Sequence, residues 1–135
     1  MRAVLLLLFV AGCQPVTRPT PSALADDAWE RRRLAIRLIV NTDRGEVQLL
    51  REKLGATTDR AVMRAEVNNY LERVQRLDLS SCPNTFAGNY RGYLLAWQLF
   101  AKALDENEEM AEPTALIDRR WNDVVEVARR FRAVE

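Results

Sequence analysis

The most constraining feature of this 135-residue chain is the spacing of its apolar side chains, which recur at alternating steps of four and three residues. The stripes are Met63, Val67, Tyr70, Val74 and Leu77; then Phe86, Tyr90, Tyr93, Trp97, Phe100 and Leu104; then Ile117, Trp121, Val124, Ala128 and Phe131. Residues at this spacing share one face of an α-helix, and helices with such faces pack against each other as bundles. We therefore predict an all-α fold over residues 24–135, an antiparallel up-down four-helix bundle.

The first helical segment is less regular than the other three. Its apolar spacing is kept by Trp29, Ile36, Val40, Val47, Leu50 and Leu54. Two polar residues, Arg33 and Asp43, fall on the same stripe. The run Asp43-Arg44-Gly45-Glu46 has the spacing of a capping box, so Asp43 could instead begin a second short helix. Of these two interpretations we favour one long helix with a weak point at residues 41–45.

Turn and capping residues divide the rest of the pattern into helices. They are Gly55 at the end of the first helix, Thr57 or Thr58 at the start of the second, the turn 80–84 with Asn84 or Thr85 as the cap of the third, and the acidic loop 105–113 with Thr114 as the cap of the fourth. No alternation typical of a strand and no internal repeat interrupts this order.

Residues 1–13 have the composition of an export signal. Arg2 supplies a positive charge, and residues 3–11 form an apolar run. This run is too short to span a bilayer, which needs about 20 residues. It closes on Val10-Ala11-Gly12-Cys13, which resembles the lipobox of bacterial lipoproteins. The resemblance covers residues 1–13 only; it implies removal of residues 1–12 as a signal peptide, attachment of diacylglycerol to the Cys13 thiol, and acylation of the new amino group.

The resemblance also implies a place in the cell. Two or three acyl chains would anchor the protein in a bacterial envelope membrane, because their combined burial makes release slow. Gln14 follows the cysteine, and by analogy with enterobacterial sorting this favours the outer membrane, facing the periplasm. Residues 13–23 contain three prolines and are expected to form an extended tether of about 30 Å.

Charge and composition exclude several function classes. The chain has 20 Lys and Arg against 19 Asp and Glu, and removal of Arg2 with the signal peptide brings them into balance, so no nucleic-acid partner is predicted. It has no histidine, which is the commonest general base and metal ligand. We therefore predict no catalytic residue, no metal and no cofactor. With Cys13 lipidated, Cys82 is left as a small buried apolar residue, which we favour, or as half of an intermolecular disulfide.

The third helix carries apolar residues on two faces. Roughly opposite its aromatic stripe lie the small and aliphatic residues Gly88, Gly92, Leu95, Ala96 and Leu99. A helix that is apolar nearly all round is normally buried on most sides. The small residues could admit another helix of the same bundle at close range, which we favour. Alternatively, this face binds a second protein molecule, either another copy of the chain or an envelope partner.

These features favour a non-enzymatic, lipid-anchored interaction or structural module in the bacterial envelope. One alternative is a small-ligand-binding bundle with its pocket between Tyr70, Tyr90, Tyr93 and Trp97. A less favoured alternative is a hydrolase that uses carboxylates alone, a chemistry that needs no histidine.

Overall fold

The computed structural model describes residues 18–135 and confirms the all-α fold. It contains α1 (Pro21–Gly55), α2 (Arg60–Val74), α3 (Asn84–Asp105) and α4 (Ala111–Arg130), and no strand in the described range. The expected signal peptide and the lipidation site at Cys13 lie outside these residues. No helix between residues 18 and 135 is long and apolar enough to cross a membrane.

Neighbouring helices run antiparallel, as side-chain contacts between them establish. The contacts are Lys53–Glu66 and Glu46–Arg73 between α1 and α2, Arg64–Asp105 and Tyr70–Tyr93 between α2 and α3, and Tyr93–Trp121 between α3 and α4. In the first two helix pairs, residue numbers rise along one helix as they fall along the other. The same holds for α3 and α4, because Thr85 and Arg130 border one surface cleft while Tyr93 packs on Trp121. The predicted up-down arrangement is the one observed.

α1 is one unbroken helix of 35 residues, so the interpretation of the first segment as one long helix is confirmed, and the helix is continuous through the expected weak point at residues 41–45. It begins at Pro21, three residues before the expected start of the bundle at residue 24, so residues 21–23 are helical and not part of an extended tether. The Thr20 side chain accepts a hydrogen bond from the Ala23 backbone N–H, and proline fits the first turn of a helix because its missing N–H would have no partner there. Asp43 does not begin a second helix; it lies inside α1 and is buried.

The start of α2 differs slightly from the prediction. Asp59, rather than Thr57 or Thr58, is its cap, because the Asp59 carboxylate accepts hydrogen bonds from two backbone N–H groups of the first turn. The Thr57 hydroxyl accepts from the Asp59 backbone N–H instead.

The caps expected for α3 and α4 are also not the observed ones. Pro83 precedes α3, and no side chain caps that helix. α4 begins at Ala111, so the acidic loop is shorter than predicted, and Thr114 lies inside the first turn. Its hydroxyl donates to the Met110 carbonyl.

The aromatic stripe of α3 forms the centre of the core. α3 packs extensively against both α2 and α4, and α1 packs against α2. By contrast, α1 and α4 touch at few positions. The bundle is therefore tight around α3 and comparatively open along the seam between its first and last helices.

Candidate functional site

Asp43 is the one charged side chain that the bundle buries among residues 18–135, with 1 % of its surface exposed. It lies on the inner face of α1, among the apolar residues Ile36, Ile39, Val40 and Leu50. A carboxylate in such a place is strongly destabilising unless hydrogen-bond donors surround it.

Three tyrosine hydroxyls supply those donors. Tyr70 and Tyr90 donate to Asp43 Oδ1 at 2.6 Å and 2.9 Å, and Tyr93 donates to Oδ2 at 3.2 Å. Tyr70 comes from α2, whereas Tyr90 and Tyr93 come from α3, so the carboxylate joins three helices. These are the only tyrosines of the chain. We refer to Asp43, Tyr70, Tyr90 and Tyr93 as the Asp43–tyrosine cluster.

Burial governs the ionisation of the cluster. It raises the pKa of the Asp43 carboxyl, while the three tyrosine hydrogen bonds act in the opposite direction. Burial also raises the pKa of each tyrosine well above its ordinary value, and the nearby Asp43 carboxylate adds to that rise. The hydroxyls therefore remain protonated donors.

Aromatic packing holds the cluster in place. The Tyr70 and Trp97 rings meet edge to face with centroids 5.4 Å apart, and all three tyrosines and Trp97 are buried. The four rings occupy the interior themselves. The ligand pocket expected between them is therefore not formed, because the hydroxyls point at Asp43 and the rings pack on one another.

Open space lies instead between α1 and α4, in a cleft of about 460 Å³ that we call the α1–α4 cleft. Val47 of α1 and Ile117 and Trp121 of α4 form its apolar walls. Asp43 and Tyr93 lie at its floor, where they are almost completely buried. The Trp121 ring packs on Tyr93 with centroids 4.9 Å apart.

The mouth of the cleft is charged and exposed. Its ionic side chains are Arg44, Arg51 and Glu52 from α1 and Asp118 from α4. Pockets for small ligands typically enclose about 300–1,000 Å³, with mainly apolar walls and a few converging polar groups. The α1–α4 cleft has a volume in that range and combines apolar walls with a polar floor and a charged mouth.

The face of α3 that the sequence singled out is only partly exposed. Leu95 and Leu99 expose 53 % and 43 % of their surface. Gly88 is exposed and Gly92 half-buried. Ala96 is 1 % exposed and belongs to the core, so it is not available to a partner.

The expectation that small residues on α3 admit another helix of the bundle is wrong for Gly88 and Gly92, whereas Ala96 is buried in the core. A Cβ atom added at Gly88 or Gly92 would meet no atom within 4 Å, so neither glycine is required by close packing. Both residues border open space, and the helices that contact α3 approach its other faces.

Cys82 is buried beside the turn between α2 and α3, as the favoured interpretation of the sequence has it. Burial raises the pKa of the Cys82 thiol, with a further contribution from the negative charge of Asp78. Both effects disfavour the reactive thiolate.

Within residues 18–135 no group of three or more Cys, Asp or Glu side chains is placed to hold a metal ion. Comparisons with known proteins found no matching family model, no matching curated protein and no matching solved structure.

Proposed function

We propose that this protein is a lipid-anchored envelope protein whose helical bundle is a non-enzymatic binding module, with a small ligand held in the α1–α4 cleft. The observation that carries the proposal is a cleft of about 460 Å³ with apolar walls and a buried carboxylate at its floor.

Binding is favoured over catalysis by the groups at the floor. Hydrolysis by carboxylates alone uses a pair of carboxyl groups on either side of the reacting bond. Asp43 is the one buried carboxylate of the described residues, and its oxygens already accept three hydrogen bonds. The other carboxylates of the cleft, Glu52 and Asp118, are exposed at its mouth.

The position of the cleft suits a protein tethered at its N-terminus. Asp43 lies 22 residues beyond Pro21 on the same helix, which corresponds to about 33 Å along the axis. A membrane anchor at Cys13 would therefore leave the cleft well away from the lipid surface and open to ligands in the periplasm.

Titration with N-phenylnaphthylamine, an uncharged dye that fluoresces in apolar sites, tests the proposal. We expect one saturable site with a dissociation constant below about 100 µM, because the Val47, Ile117 and Trp121 side chains offer apolar contact in a concave site. The variant Val47→Trp should fill the cleft and abolish the signal.

The matched control is Leu95→Trp, which places the same tryptophan side chain on the exposed face of α3 and should leave binding unchanged. Absence of saturable dye binding to the folded wild-type protein would refute the proposal. So would equal binding by the Val47→Trp variant.

A second candidate function is the docking of a protein partner on α3. The exposed Leu95 and Leu99 side chains, next to open space at Gly88 and Gly92, favour it. Exposed leucines on α1, such as Leu34 and Leu38, make this feature less distinctive, because scattered apolar surface residues are common.

Site-specific photo-crosslinking in intact cells tests the docking candidate. If α3 is the docking face, a crosslinker at position 95 should give a discrete adduct, and one at the exposed Arg119 of α4 should give none. Adducts from neither position, or equally from both, would count against it.

A further inference from the structure

We propose that the α1–α4 cleft selects an organic cation: a primary ammonium group, carried on a small apolar body, with its charge at Asp43 and Tyr93. This inference rests on the proposed function of the cleft and adds the chemical class of its ligand.

The buried charge at the floor of the cleft determines the sign of the charge that a ligand should carry. Three carboxylates and two guanidinium groups line the cleft, but all of them except Asp43 are exposed at the mouth. Water and salt screen exposed charges, whereas a charge at an effective dielectric constant of about 20 acts roughly fourfold more strongly than one in bulk water. In its ionised form, which the three tyrosine donors favour, Asp43 therefore dominates the potential that a ligand meets at the floor.

Hydrogen-bond capacity at the floor also favours a donor. Each tyrosine has a single hydroxyl proton, and all three protons are directed at Asp43. Oδ1 accepts two of these hydrogen bonds and Oδ2 only one, so Oδ2 retains unused acceptor capacity, whereas the Tyr93 oxygen already lies 3.3 Å from the Tyr70 hydroxyl. An ammonium group offers three donors and no acceptor, so it can donate to the carboxylate. A carboxylate ligand would place its own acceptor oxygens next to the acceptor oxygens of Asp43.

The walls complete the site. Tyr93 and Trp121 place two aromatic rings beside the floor, with planes inclined at 49°. A cation within about 6 Å of such ring faces is stabilised by their negative electrostatic surface. Val47 and Ile117 offer apolar contact to the rest of the ligand.

Access to the floor limits the size of the charged group. Asp43 exposes 1 % of its surface and Tyr93 exposes 2 %. A primary ammonium group is the smallest organic cation head and can donate hydrogen bonds there. A trimethylammonium group is larger and has no N–H to donate, so we expect the cleft to discriminate against it.

Isothermal titration of the wild-type protein at neutral pH tests the inference with phenethylamine, phenethyl alcohol, phenylacetate and phenethyltrimethylammonium. These probes share an aromatic body and differ in the head group. We expect phenethylamine to bind about tenfold more tightly than the alcohol, and both phenylacetate and the trimethylammonium probe to bind more weakly than phenethylamine. A preference for phenethylamine over phenethyl alcohol of less than about tenfold would overturn the inference. So would binding of phenylacetate or phenethyltrimethylammonium that is as tight as that of phenethylamine, or tighter.

The variant Asp43→Asn locates the preference. It should lose the preference for phenethylamine over phenethyl alcohol. Retention of that preference in a folded Asp43→Asn protein would overturn the role assigned to the carboxylate. If this variant does not fold, as judged by near-ultraviolet circular dichroism, the wild-type comparison decides alone.

Failure of this inference is distinguishable from failure of the proposed function. If the dye binds and Val47→Trp blocks it, but the head-group order is not the expected one, the cleft remains a binding site and only the ligand class is wrong. If the dye does not bind, the proposed function itself fails.

Discussion

Asp43 is an uncommon residue for the interior of a small bundle, because an apolar residue would fill the same place without a desolvation cost. Its carboxylate is stabilised by the hydrogen bonds that the Tyr70, Tyr90 and Tyr93 hydroxyls donate to it. Removal of one donor from a buried charge is more costly than loss of an ordinary surface hydrogen bond. The cluster therefore couples the stability of the bundle to single hydroxyl groups.

The substitution Tyr70→Phe measures that coupling. In the wild type, the Tyr70 hydroxyl makes the shortest hydrogen bond to Asp43, at 2.6 Å. We expect the free energy of unfolding in urea to fall by about 1.5–3 kcal/mol, the range for hydrogen bonds to charged groups.

Tyr93→Phe is the matched comparison, since its hydrogen bond to Asp43 is longer, at 3.2 Å. It should lower the free energy of unfolding by less than Tyr70→Phe does. A Tyr70→Phe protein as stable as the wild type would contradict the importance of the cluster.

The tyrosines also predict how stability depends on alkaline pH. Their pKa values in the folded protein are raised, so the folded state holds these protons more tightly than the unfolded state does. The stability that this contributes is fully present below the unfolded tyrosine pKa of about 10 and is lost as the pH rises above it.

Absorbance of tyrosinate, followed during alkaline titration, checks this expectation. Because the chain has no tyrosine outside the cluster, the signal reports on the cluster alone. We expect no ionisation of the folded protein near the ordinary tyrosine pKa, and one cooperative rise that coincides with loss of helical circular dichroism. Independent ionisation of the tyrosines before unfolding would contradict the burial of their hydroxyls.

At the scale of helices, the apolar spacing predicted the four elements well because each stripe has a core to face. Val67 and Tyr70 of α2, and Tyr90 and Tyr93 of α3, are buried as their spacing requires. The ends of the helices were less predictable. Several residues near Asp59 and Met110 can cap a helix, and the choice between them depends on local geometry that sequence spacing does not fix.

A substitution at Gly45 tests whether α1 is continuous. Gly45 lies in the interior of that helix, is exposed, and would place an added Cβ within 4 Å of no other atom. Glycine costs a helix interior about 0.5–1 kcal/mol relative to alanine, so Gly45→Ala should raise the free energy of unfolding by that amount.

The matched control for Gly45→Ala is Ala65→Gly, on the exposed side of α2, which should lower the free energy of unfolding by a similar amount. A fall in stability on Gly45→Ala would indicate that α1 is broken near this position.

The site was harder to predict from the sequence than the helices. Asp43 was visible as a polar residue on an apolar stripe, but the same residue also fitted a helix cap. The three tyrosines fitted an aromatic core equally well. Only the relative rotation of α1, α2 and α3 brings these four side chains together, and the open seam depends on how far α4 lies from α1.

At the scale of the whole molecule, the proposed envelope location depends on Cys13. We expect Cys13→Ala to abolish membrane retention, because the variant has no thiol to receive the lipid. Fractionation of cells that express the full chain checks this. Cys82→Ala is the matched control and should remain with the membranes; an unchanged distribution of Cys13→Ala would remove the proposed anchor.

The most direct test of ligand binding in the α1–α4 cleft is an amide correlation spectrum of the isotopically labelled protein, recorded with increasing phenethylamine. We expect saturable shifts that concentrate at Val47, Ile117 and Trp121, with the Leu95 and Leu99 amides of α3 unmoved. Shifts confined to α3 would contradict the assignment of the cleft as the binding site, and no saturable shift at any residue would contradict the proposed ligand class.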